Sequence, residues 1–201
     1  MTTQEKNGIT EGVIWKQLLI FFFPILVGSF FQQLYNTVDS VIVGQFVGKE
    51  ALSSVGGSAG QIISLVVGFF TGVSTGATVI ISQYFGAGKK EEIEESLHTA
   101  YAFALVGGLV LGIAGIVFAP QMLRWMKTPE ELIAESVLYV RVYFSGLIFI
   151  FIYNMGAAIL RAVGDSKRPL YYLIVCSVVN IILDLLLILV IPLGVLGAAI
   201  A

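Results

Sequence analysis

Long apolar runs broken by short polar connectors set the pattern of the chain. Five runs reach the ~20 residues a helix needs to cross a bilayer: 18–46, 55–85, 97–119, 138–160 and 170–191. A lone strand would leave its backbone groups unsatisfied in lipid, so the run interiors are predicted to be helical. The connectors read "GKEALSS", "GAGKKEEIEE", "PQMLRWMKTPEELIAES", "RAVGDSKRP" and "PLG". After Pro192 the stretch "GVLGAAIA" covers only ~12 Å as helix. It is too short to span and is expected to be the start of a sixth span, cut short. The predicted fold is all-α: a polytopic membrane helix bundle with five full transmembrane helices plus the start of a sixth.

Local signals refine that picture. Gly56, Gly60, Ser64, Gly68, Gly72 and Gly76 recur at every fourth position of the second run, a bare ridge predicted to let neighbouring helices approach closely. Thr128, Pro129 and Glu131 read as N-cap, first-turn proline and capping-box acid for the fourth helix. With the N-terminus inside, Lys6, Lys16, Lys89, Lys90, Arg161, Lys167 and Arg168 fall on the inner side, and Lys49, Arg124, Lys127 and Arg141 on the outer. Seven against four favours a cytoplasmic N-terminus.

Composition agrees with the pattern and removes several classes of function. Hydrophobic residues make up 57% and charged residues 12%, against roughly 25% charged in a soluble domain, and the mean hydropathy is +0.93. No basic face suggests nucleic acid. The single cysteine, Cys176, excludes an internal disulfide or a multi-thiolate metal site, and its apolar run suggests a small buried side chain. His98 is the only histidine, so neither a histidine metal pair nor a Ser–His–Asp triad is available. The opening "MTTQEKNGITEG" has no small-residue cleavage site after it that would mark a signal peptide. "GAGKKEE" lacks the spacing of a nucleotide-binding loop.

Candidate chemistry lies in the few polar residues inside the runs. Eleven of the thirteen acids fall in tails or connectors; Asp39 and Asp184 do not. A mid-helix aspartate costs ~2.5–3.5 kcal/mol on insertion scales, which packing alone does not offset. Gln32, Asn36, Asp39 and Ser40 share one helix face, as do Ser177, Asn180 and Asp184. Both runs head outward and both aspartates lie beyond the midpoint. The two stripes are therefore expected to meet at comparable depth in the bundle, with Asn154 of the fourth run as a third contributor. Two carboxylates facing one low-dielectric cavity should not both be ionised without a cation. Carboxylate and amide oxygens suit Na⁺, and the carboxylates also suit a proton. Pro24 leaves the carbonyl of Ile20 without its helical partner and should loosen the first helix there.

These residues sit in "PILVGSFFQQLYNTVDSVIVGQFVG" (24–48), "GVSTGATVIISQYFGAG" (72–88), "RAVGDSKRP" (161–169) and "NIILD" (180–184). In order and spacing the set resembles the N-terminal lobe of multidrug and toxic compound extrusion (MATE) transporters. The resemblance implies a two-lobe protein of twelve helices in the plasma membrane, exporting bulky, often cationic drugs or toxic compounds in exchange for H⁺ or Na⁺. It implies a cation site at Asp39, Asn180, Asp184 and Asn154 and a helix hinge at Pro24; Gln32, Asn36, Ser40 and Ser177, on the same polar faces as the aspartates, are expected to line the cavity. It implies no cofactor beyond the coupling ion and no enzyme activity. Residues 1–12 would be a cytoplasmic tail and 13–201 the lobe, truncated in helix six. A full cavity and rocking of lobe on lobe would need the missing C-terminal lobe. Three rival readings remain: a lipid-linked sugar flippase of similar fold, an inactive fragment of the full-length transporter, and an intramembrane aspartyl protease. No mid-span basic residue favours the first, and the residues preceding the two aspartates do not resemble the protease motifs.

Overall fold

Each predicted run is helical in the computed structural model, which describes residues 13–201; the expected tail at 1–12 lies outside them. α1 (Ile14–Ile42) ends in a π-helical turn (Val43–Val47). α2 (Lys49–Gly56) and α3 (Ser58–Gly86) follow, then α4 (Lys90–Trp125), α5 (Glu130–Ser145) and α6 (Leu147–Ala162). α7 (Lys167–Asp184) ends in a second π turn (Leu185–Val190), and α8 (Val195–Ile200) closes the chain. Four helical stretches are long and apolar enough to cross a membrane, and a fifth is α5 with α6, bent by 51° between them. Phe149 (72% exposed), Leu65 (73%) and Val190 (70%) point away from the bundle, a surface that lipid covers without penalty and water does not.

The connectors are shorter than the sequence suggested. "KEALSS" is part of α2, "KEEIEE" opens α4, and Glu130–Ser136 belongs to α5. Glu91 and Glu92 occupy the first turn of α4, where the helix dipole favours acids. Polarity marks where a helix leaves lipid, and the helix itself continues. The predicted cap at Thr128 is absent. Its N–H bonds the carbonyl of Leu123 at 3.1 Å, so Thr128 closes α4. Pro129 takes the cap position of α5 without a side-chain cap bond. α7 is capped instead by Asp165, whose Oδ1 accepts the N–H groups of Lys167 and Arg168, each at 3.1 Å.

The larger core joins α3, α4, α5 and α6 around Phe70, Leu123, Val140, Phe144, Phe151 and Met155. Close approach comes from α4 and not from the predicted ridge of α3. A Cβ on Gly108 would stand 2.9 Å from the backbone of Ile148, and one on Gly107 or Gly115 would overlap the rings of Phe70 or Phe144. Around Gly56, Gly68, Gly72 and Gly76 nothing lies within 4 Å. The i+4 spacing set up a smooth face, but that face turns away from the other described helices.

Pro120 lies inside α4 and has no N–H for the carbonyl of Ile116. Arg141 of α5 donates its Nε–H to that oxygen at 3.1 Å. One helix thus satisfies the group that the other leaves open. Cys176, expected to be buried, is exposed on α7, because the neighbouring Ser177 takes the inward position.

A second, smaller core gathers Ile42 and Val43, Ala51, Ile188 and Val195, and Tyr139 packs against it. Gly48, at φ 126°, turns the chain from the first π turn into α2, a conformation that favours glycine.

Candidate cation site

α1 packs mainly on α7. Gly28 opens their contact: a Cβ there would meet Leu173 at 3.5 Å and Leu170 at 3.7 Å. The helices run parallel from this point, so eleven residues on along α1 and eleven to fourteen along α7 bring Asp39 beside Asp184. The two carboxyl groups lie close enough to share a hydrogen bond if one carries a proton. The predicted meeting of the two stripes is found at these residues.

Asp184 is fully buried, and neither of its oxygens has a hydrogen-bond donor. Oδ1 of Asp39 and Oδ1 of Asn180, one turn before Asp184, are also buried and unpartnered. A buried acceptor normally finds a donor, and leaving one unmet costs about 1–3 kcal/mol, more if charged. Four such oxygens on two adjacent helices make an all-oxygen donor set that fits a hard cation, and its two carboxyls also fit a shared proton. No cluster of three or more His, Cys, Asp or Glu occurs among the described residues. The site is thus a carboxylate pair with an amide, unlike a multi-acid centre for a divalent ion.

Around the pair stand tyrosines that the polar-stripe argument passed over. Tyr35 and Tyr139 are within electrostatic range of Asp39, and Tyr139 also of Asp184. Tyr35, one turn before Asp39, was detectable from spacing; Tyr139 comes from α5 through the tertiary fold. Both π turns begin just beyond the aspartates, and Val43 N–H bonds the carbonyls of Asp39 and Ser40. Such turns often accompany functional sites.

The remaining predicted residues divide. Ser177 is buried and donates to the carbonyl of Leu173 at 2.8 Å. Gln32, Asn36 and Ser40 are exposed along α1, with Ser40 donating to Asn36 at 2.9 Å. Asn154 donates to the carbonyl of Ile150 at 2.9 Å and lines a separate cavity with Phe21, Ile25, Ser74 and Arg161. That cavity lies about fourteen residues, or ~21 Å, nearer the start of α1 than Asp39. Pro24 is buried, and α1 runs through it as continuous helix.

The helices and the buried pair define a polytopic membrane protein with an oxygen-rich site between two parallel spans. A MatE family model matches residues 24–186, and the chain belongs to that family. It is 35% identical over 193 residues to the probable multidrug resistance protein YpnP of Bacillus subtilis (strain 168), covering 94% of this chain and 42% of that protein. To the probable multidrug resistance protein YoeA of the same organism it is 33% identical over 183 residues, covering 91% and 39%. A solved MOP superfamily transporter from Pyrococcus furiosus superposes with a TM-score of 0.91 at 27% identity, covering 99% of this chain and 44% of that one. The chain thus spans about two-fifths of the length of these relatives, within the N-terminal half of a MATE fold.

Proposed function

We propose that the chain is the N-terminal lobe of a secondary active multidrug exporter in the plasma membrane, its N-terminus cytoplasmic. It exchanges bulky, often cationic compounds for H⁺ or Na⁺. The four unpartnered oxygens on Asp39, Asn180 and Asp184 carry the reading. Cation binding at Asp39 and Asp184 favours one facing state and drug binding the other, and linkage requires each to weaken the other reciprocally. In this reading Gln32, Asn36, Ser40 and Ser177 line the drug chamber and Pro24 lets α1 bend between states, while Asn154, in a separate cavity, lies too far from the two aspartates to hold the same ion. The opposing lobe closes the chamber and rocks against this one.

The test uses a two-lobe transporter carrying this chain, reconstituted in vesicles with separately imposed proton and sodium gradients. Dye efflux should follow one gradient, and D39N and D184N should each abolish that dependence. Efflux that keeps its full rate and ion dependence in both variants would remove the proposal.

A further inference from the structure

The cavity lined by Asn154 has a chemistry that the cation site does not use. It lies between the first half of α1 and the facing sides of α3 and α6, with a volume of about 230 Å³. Its wall carries Thr71, Ser74, Thr75, Thr78, Asn154 and Arg161. Ser74 is 4% exposed, and its Oγ is buried without a partner. Thr71, Thr75 and Thr78 direct their protons to helix carbonyls at 2.8 to 2.9 Å. The Asn154 amide N–H is likewise engaged by Ile150. What remains to donate is the Ser74 hydroxyl, the second N–H of Asn154 and the Arg161 guanidinium. The ion pairs among the described residues are Lys89–Glu92 and Arg168–Asp165, so Arg161 faces the cavity without a carboxylate among them. A basic residue in the last turn of α6 suits the helix dipole, but that explains its place along the helix and not its place in the cavity wall.

We propose that this cavity binds the oxyanion of an amphipathic ligand, held by the Arg161 fork and the Ser74 hydroxyl, with Phe21 and Ile25 against its apolar part. A planar guanidinium matches a carboxylate or phosphate at two points, and low dielectric strengthens the pair. The volume falls below the 300–1,000 Å³ or so typical of drug-sized pockets, so it fits a head group and a short apolar segment. The proposal does not depend on ion coupling, and it is tested by binding instead of transport.

Fluorescence titration of the purified chain in phosphatidylcholine nanodiscs, with pyrenebutyrate and its uncharged analogue pyrenebutanol, reads it directly. Pyrenebutyrate should bind the more tightly. R161Q should weaken pyrenebutyrate about tenfold or more while sparing pyrenebutanol. R161K should recover part of the loss, S74A should cause a smaller loss, and R124Q, near the far end of α4, should cause none. Circular dichroism on each variant separates lost binding from lost folding. Phosphatidylglycerol in the disc that competes with the probe assigns the oxyanion to a lipid head group; its indifference assigns it to a soluble amphiphile. Equal binding of acid and alcohol, or an R161Q protein of native helicity that binds pyrenebutyrate as well as wild type, would overturn the proposal.

Discussion

Arg141 and Pro120 show how a single polar contact can be judged by what it repairs. Pro120 removes the donor for Ile116, and the Arg141 Nε–H replaces it. In a membrane, where water cannot substitute, an unmet carbonyl costs about 1–3 kcal/mol. R141A should therefore lower the thermal midpoint in detergent by that order. In a P120A background, where the helix regains its own N–H, the same change should cost far less, and a double-mutant cycle measures the difference. Equal cost in both backgrounds would show that the contact repairs nothing. At this scale the acidic pair was legible in the sequence, because a charge within an apolar run has no bland explanation and helical spacing put Asn180 on its face. Tyr139 and Arg161 were not, since each reaches its neighbours across helices. The Thr128 cap failed for a related reason: its motif needs an extended residue at one point, and the chain uses Thr128 to close α4.

Elements tell the same story through glycine. The regular ridge on α3 is open, while the less regular α4 set, Gly107, Gly108, Gly112 and Gly115, meets the helices around it. Spacing identifies a smooth face but not the neighbour it meets. G108A should destabilise by about 1–3 kcal/mol because its Cβ meets backbone that cannot swing aside. G72A adds a methyl where nothing lies within 4 Å, so it should be neutral or stabilise by up to ~1 kcal/mol through helix propensity. Thermal melts of the two variants in one detergent compare them directly, and a reversed order would reject the packing described here. α1 offers a second test. P24A restores a donor to the Ile20 carbonyl, so amide exchange around Ile20–Gly28 should slow. Unchanged exchange would mean that the proline leaves α1 no looser than ordinary helix. The π turns had no signal in the sequence, since "VGQFV" and "LLLILV" read as plain apolar helix.

For the molecule as a whole, the proposed cation ligands and the proposed drug chamber differ in what they require. Asp39, Asn180 and Asp184 all lie on α1 and α7 of this chain, on the edge of a core that the chain itself completes. Ion binding should therefore be measurable without the opposing lobe, whereas transport is not. A cation that binds only the folded chain stabilises it by RT ln(1 + [L]/Kd), ~2.7 kcal/mol at a hundred times Kd. The purified chain should then melt at rising temperature as sodium replaces choline at constant ionic strength and pH. D184N, which keeps the shape and removes the charge, should flatten that series, as should D39N. A wild-type series that is already flat excludes sodium and leaves the proton as the coupling ion, which a pH series on the same three proteins then tests. If wild type and both variants respond identically to sodium and to pH, the unpartnered oxygens of this pair bind no ion, and the antiport reading loses the observation on which it stands.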